Sequence, residues 1–239
     1  MTGRVVNRSV LHEPPAMTAD SGQEHLAIED LRSARGWNPE DFAREQIRGL
    51  VRQVFFANAV RPVRQVVFSA LDTETELRDI CRSVGEALAR ESPDSVAIVG
   101  GYPKVVSADR DDEDLPPAKN GMMPLHRIGI RVRRNLWLVP GATSELDCPS
   151  SNSLNSYLGE ARREFEFSIV QAPPAGESDV AASMGQFADG LILVLSAERT
   201  RRVIAQQVKN ALQAGRVRLL GTVLSDRRFP IPEEIYRRL

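Results

Sequence analysis

Nowhere in the 239 residues does an apolar run reach the ~18 positions that a membrane-crossing helix needs. Residues Met1 to Asp20 interleave Arg, His, Glu and Pro where a secretion signal would carry an apolar core. A cytoplasmic chain with no direct membrane insertion is therefore expected. Cysteine is nearly absent. Cys81 and Cys148 lie far apart and outside any Cys-x-x-Cys pair, which leaves a disulfide framework or a zinc site without support and makes buried free thiols the plain reading. The only histidines are His12, His25 and His126, and no Gly-x-Ser-x-Gly elbow exists, so hydrolase chemistry has no sequence basis. Excess charge of one sign is missing too: 31 Lys and Arg face 32 Asp and Glu. No global field draws the chain onto nucleic acid or an anionic membrane, and any such contact must be local.

What is present suits one globular domain with a substantial core, since 42% of residues are hydrophobic and 26% charged. Residues 1–37 are rich in polar residues and turn formers and are expected to form a mobile tail ahead of a domain spanning 38–239. Asn38 can cap a helix with Pro39 first and Glu40 and Asp41 in its first turn. Phe42, Ile47, Leu50, Val51, Val54 and Phe55 give that helix an apolar stripe ending near Asn58.

A βα rhythm follows. Gln65 to Ser69 reads as a buried strand, Thr75 to Arg90 as an amphipathic helix and Ser95 to Val99 as a second buried strand, a unit that requires parallel pairing and a right-handed crossover. An inserted loop is expected near 102–130, containing the acidic run Asp109 to Asp114 broken only by Arg110. That run lacks the Gly turn and the distant bidentate Glu of a calcium loop, so no metal is assigned to it. Strands are then expected at Asn135 to Val139, Phe165 to Val170, Gly190 to Leu195 and Val217 to Leu224. Helices are expected at Ser151 to Arg163, Ser178 to Phe187 and Thr200 to Ala214. The fold class is α/β: a doubly wound, mainly parallel sheet with helices on both faces.

Ligands of such sheets bind at the carboxyl ends of strands, which directs attention to the loops after Ser69, Val99 and Val170. A phosphate loop works through glycine amides, a Lys at the terminal phosphates and a Ser or Thr on magnesium. The first loop instead reads Ser69-Ala70-Leu71-Asp72-Thr73-Glu74-Thr75-Glu76-Leu77-Arg78, with no Gly, no Lys and surplus carboxylates. Glu74 and Glu76 would repel phosphate, and they are expected to cap the following helix in its place. Gly100-Gly101 after a strand lacks the Gly-x-Gly-x-x-Gly that opens a helix in dinucleotide-binding proteins.

Several segments resemble the tyrosine autokinases of bacterial polysaccharide assembly, whose cytoplasmic domain is a P-loop fold of the MinD/ParA type. They are Glu45 to Leu50, Arg61-Pro62-Val63-Arg64, Val66 to Leu71, Phe165 to Pro174, Ala188 to Leu195, Glu198 to Arg202 and Leu220 to Leu224, in the family's order over roughly Glu45 to Arg228. The resemblance implies a P-loop NTPase-like fold and, by its departures, a degenerate member. The family's Pro-Gly-Glu-Gly-Lys-Ser-Thr falls on about Asp72 to Arg78, that is Asp72, Thr73, Glu74, Thr75, Glu76, Leu77 and Arg78, and only Glu74 matches. Its Asp-x-Asp falls on Gly100-Gly101-Tyr102, and its third acidic position is Gln171. No catalytic residue, cofactor or metal is therefore assigned.

The family uses an acidic and two basic positions on the helix before the first strand for contacts between subunits. Glu45 and Arg48 match, and Arg52 lies one place beyond the next basic position, where Val51 stands. Arg127, Arg131, Arg133 and Arg134 suit either an anionic partner or an edge strand. Tyr236 stands alone where the family carries a C-terminal tyrosine cluster. The implied role is a non-catalytic subunit for exopolysaccharide or capsule assembly, recruited to the inner face of the membrane. Its partner would be a membrane chain-length regulator or a catalytically complete paralogue, with homo-oligomers also open. The rival is an unusual ATP-dependent tyrosine kinase using other basic groups such as Arg78 or Lys104.

Overall fold

A computed structural model describes residues 39–57, 62–100, 124–141 and 151–225. The described residues all belong to the compact unit Pro39–Pro230. The expected tail, the acidic run Asp109 to Asp114, Tyr102, Lys104, Cys148 and Tyr236 lie outside them.

The elements are α1 (Pro39–Val51, continued by a π turn, Arg52–Phe56), β1 (Gln65–Ala70), α2 (Leu77–Glu91), β2 (Val96–Val99), α3 (Leu125–Ile128) and β3 (Ile130–Arg133). They continue with β4 (Leu136–Val139), α4 (Ser151–Glu164), β5 (Phe167–Ala172), α5 (Val180–Phe187), β6 (Gly190–Ser196), α6 (Arg202–Ala214) and β7 (Leu219–Ser225). One seven-stranded sheet runs β3-β4-β2-β5-β1-β6-β7. Every neighbouring pair is parallel except β3 with β4. The four segments expected at the centre, on β1, β2, β5 and β6, are parallel and lie inside the sheet.

Strand alternation sends β1 to two cores. Val66 and Phe68 face Val51, Phe55, Cys81, Val84 and Leu88 from α1 and α2, whereas Val67 faces Leu154, Leu158, Ala181 and Met184 from α4 and α5. Both faces of the central strands are thus covered, which is why they read as unbroken apolar runs. Helices α1 and α2 cover one face and α3 to α6 the other, so the helices that follow the neighbouring strands β1 and β5 leave on opposite faces, where open α/β sheets place their ligands.

Two local features differ from the sequence reading. The first helix was expected to be amphipathic from its start, but Phe42 is exposed and burial begins only around Ile47. At its far end the helix widens into the π turn, which brings Phe55 and Phe56 both edge-on to Phe167, at centroid distances of 5.7 and 5.9 Å. The short α3 and the antiparallel β3 had no periodicity long enough to announce them. β3 nevertheless is an edge strand, as its alternating arginines suit.

Candidate functional site

The carboxyl ends of β2 and β5, the segment just after β4 and the start of α2 meet around a cavity of about 200 Å³, lined by Leu77, Gly100, Gly141, Tyr157, Gln171 and Pro173 among others. This is below the ~300–1,000 Å³ usual for small-molecule sites. The sequence reading sets the loop after Ser69, Gly100 and Gln171 at one end of the sheet, and the fold brings Leu77, Gly100 and Gln171 together there.

The loop after β1 is held by the protein's own groups. Its entry is pinned by the Leu71 N–H donating to the Val194 carbonyl, while the N–H groups of Ala175 and Gly176 donate to the carbonyls of Ala70 and Leu71. A Cβ on Gly176 would stand 2.5 Å from the Leu71 carbonyl oxygen, so only glycine permits this approach. The Thr73 N–H donates to a carboxylate oxygen of Glu177 at 3.2 Å, and the Thr75 hydroxyl donates to Asp72 at 2.8 Å. Across the loop, the Arg199 guanidinium reaches the Glu74 carboxylate at 3.0 Å and the Glu74 carbonyl at 3.3 Å. A carboxylate on a loop amide and an arginine on a loop carboxylate are the reverse of a phosphate cradle, in which amides and cations face an incoming anion.

The expectation that Glu74 and Glu76 cap their own helix is not met. Glu76 occupies the N-cap position of α2, but its side chain makes no capping hydrogen bond. Glu74 is drawn away by Arg199. Thr75 is buried, Leu77 opens α2 and lines the cavity, and Arg78 is exposed beside it on the helix.

Gly100 has φ +104°, a conformation that L side chains rarely adopt, and a Cβ there would lie 2.9 Å from the Gln171 carbonyl oxygen. Its N–H continues the ladder by donating to Val139. The backbone therefore excludes an aspartate at this position as it stands. Gln171 projects beside Cys81 on α2. Burial pushes the Cys81 thiol up, with the Gln171 amide opposing that in part, yet the contact falls short of hydrogen-bond geometry and Gln171 Nε2 has no partner. At the rim, burial and the nearby Glu164 raise the Tyr157 phenol, whose hydroxyl donates to the Pro140 carbonyl. The Ser69 hydroxyl likewise donates to the Pro173 carbonyl, at 2.6 Å. The Ser69, Thr75 and Tyr157 hydroxyls and the Asp72, Glu74 and Glu177 carboxylates are thus committed to intramolecular bonds, and no group of three or more His, Cys, Asp or Glu able to hold a metal occurs among the described residues.

Sequence reading missed Glu177 and Arg199. Both sit on carboxyl-end loops, after β5 and β6, and that placement was the available signal. The loop after β6 was not among those singled out for chemistry. The helix positions Glu45, Arg48 and Arg52 are exposed on α1 and its π turn. Arg48 lies 3.5 Å from Glu45, and Arg52 reaches Glu91 on α2 at 3.0 Å.

The sheet order, the side switch beside β1 and β5 and the two helical layers define a P-loop NTPase-like α/β fold. Among solved structures, the chain is similar to the kinase domain of Escherichia coli tyrosine kinase ETK, with TM-score 0.58, 13% identity, and coverage of 80% of this chain and 79% of that one. It is also similar to the BceF tyrosine kinase domain, with TM-score 0.57, 16% identity and coverage of 84% and 88%. A ParA family ATPase from Chlorobium tepidum TLS matches with TM-score 0.54, 16% identity and coverage of 72% and 78%. No protein-family model and no curated protein matches the chain. Among the described residues no helix is long and apolar enough to cross a membrane.

Proposed function

We propose that this chain is a non-catalytic, cytoplasmic interaction or regulatory subunit of exopolysaccharide or capsule assembly, with a nucleotide site filled by its own side chains. The observation that carries this reading is the loop after β1, where Glu177 takes an amide and Arg199 takes Glu74. An incoming triphosphate would have to displace both, and would then meet Asp72, Glu74 and Glu76 with no lysine on the loop. Aspartate at position 100 is refused by the backbone, so the carboxylates that manage magnesium in phosphoryl transfer have no counterpart there.

Titration calorimetry with Mg-ATP tests the reading directly. No heat of binding at millimolar nucleotide is expected, and incubation with radiolabelled ATP should leave Tyr236 unlabelled. A micromolar dissociation constant would overturn the reading in favour of an unusual kinase.

The partner is a membrane chain-length regulator or a catalytically complete paralogue, met through the exposed face that carries Glu45, Arg48 and Arg52. The Arg48–Glu45 pair is exposed at both ends and the second pair at its Arg52 end, so freeing the two arginines for a partner costs little. Reversing the charges at Glu45 and Arg48 should change the sedimentation profile of the complex recovered from cells. An identical profile for the reversed and wild-type proteins would remove this face from consideration.

A further inference from the structure

We propose that the outer edge of β3 docks an extended acidic segment of a partner protein, whose side chains alternate between carboxylates and apolar groups. This goes beyond the reading of the nucleotide site and stands without it. β3 is the terminal strand of the sheet, so one side of its backbone has no strand neighbour among the described residues. All four of its residues, Ile130, Arg131, Val132 and Arg133, are exposed.

Charge around this edge is out of balance. Glu86 on α2 is the shared carboxylate of three arginines, Arg82 at 3.2 Å, Arg90 at 3.4 Å and Arg133 at 3.4 Å. Arg131 has no carboxylate within reach among the described residues. It donates to the carbonyls of Arg133 and Arg134 and lies 5.1 Å from the Trp137 ring centroid. A guanidinium held against an indole and main-chain oxygens is fixed in place and keeps its positive charge uncompensated. An arriving carboxylate supplies what the patch lacks.

Charges and a bulge are common defences of an edge strand, and β3 has both, its register shifting between Arg131 and Arg133. The defence is selective. A second copy of β3 would set arginine against arginine, and a neutral strand would leave the charges uncompensated, whereas an acidic strand pairs with them. Alternating with the arginines are Ile130 and Val132, 44% and 45% exposed, which an apolar cross-strand neighbour would cover. A strand edge with no strand neighbour among the described residues, set beside apolar side chains, matches a polypeptide, not a nucleic acid or a lipid headgroup.

The test is fluorescence anisotropy with a labelled peptide of alternating Glu and Val, added to the full chain. Micromolar binding is expected, weakened about tenfold or more by Arg131→Glu with Arg133→Glu, and similarly when alternate peptide amides are N-methylated. Both arginines are exposed, so the variant should keep its thermal melt. The neutral pair Arg131→Gln with Arg133→Gln provides a second reading of the same loss. Equal binding of the N-methylated peptide, of a Lys-Val peptide, of single-stranded DNA or of phosphatidylglycerol vesicles would overturn the proposal, as would absence of saturable binding at millimolar peptide.

Discussion

At the two ends of the sheet a carboxylate accepts hydrogen bonds from main-chain amides, but the settings differ. At the amino end Asp189 takes the N–H groups of Arg64 and Gln65, both at 2.8 Å, and the Arg162 guanidinium at 2.7 Å. At the carboxyl end Glu177 takes one amide, Thr73, at 3.2 Å, and the neighbouring Arg199–Glu74 pair is largely exposed. The amino-end cluster ties β1, α4 and β6 together in a half-buried place. Its carboxyl-end counterpart closes a loop over the position where an open sheet would receive a ligand. One cluster joins three elements of the core and the other ties down a single exposed loop.

The largest effect should come from removing the amino-end carboxylate. Asp189→Ala leaves two amides and a guanidinium without their acceptor, and a loss of about 2–4 kcal/mol is expected in urea denaturation. Burial raises the Asp189 carboxyl, but its bonds to Gln65, Arg64 and Arg162 outweigh that and hold it below the ordinary carboxylate value. A carboxylate lowered on folding contributes stability that is fully present above its unfolded value of about 3.9 and is lost as pH falls through the folded value. The stability gap between wild type and Asp189→Asn should therefore be constant near neutrality and close below about pH 4. A gap that persists unchanged into stronger acid would mean that the side chain acts by shape alone.

An intermediate effect is expected at Gly100. With φ at +104° and the Gln171 carbonyl 2.9 Å from any Cβ, Gly100→Ala should cost about 1–3 kcal/mol, measured by thermal melting. Gly100→Asp should lose at least as much and gain no magnesium binding. A stable aspartate variant that binds magnesium would show that the family's carboxylate fits this backbone after all.

The difference between the two ends also sets what could be read from the sequence. The buried strands were legible because each packs on both faces and so carries a short continuous apolar run, as Val66-Val67-Phe68 and Leu191 to Leu195 do. The missing glycines and lysine of the first loop were legible because a phosphate loop needs those residue types at fixed spacing. The contacts that this loop makes were not. Thr73 meets Glu177, and Glu74 meets Arg199, across more than a hundred residues, and no local period encodes such a pairing. Likewise the positive φ of Gly100 depends on the neighbouring strand β5. The helix-capping expectation for Glu74 failed for the same reason: a distant arginine outcompeted the local amides.

The smallest effect on stability should come from opening the carboxyl-end loop. The Arg199 and Glu74 side chains are 51% and 71% exposed, so their ion pair is worth roughly 0–1 kcal/mol. Glu177 contributes one exposed bond of ordinary length. Arg199→Ala with Glu177→Ala should therefore melt close to wild type, while proteolysis within Leu71 to Glu76 becomes faster as the loop loses two of its ties. Opening alone should not admit nucleotide. Asp72, Glu74 and Glu76 remain, Glu74 now without its arginine, and the exposed amino end of α2 offers an anion only about 0.3–1 kcal/mol. Calorimetry on this double variant should again detect no Mg-ATP binding at millimolar concentration. If ATP bound to the double variant and not to the wild type, the loop would be a latch over a working site. The contrast between a stabilising end and a merely filled end of the sheet would then have to be redrawn.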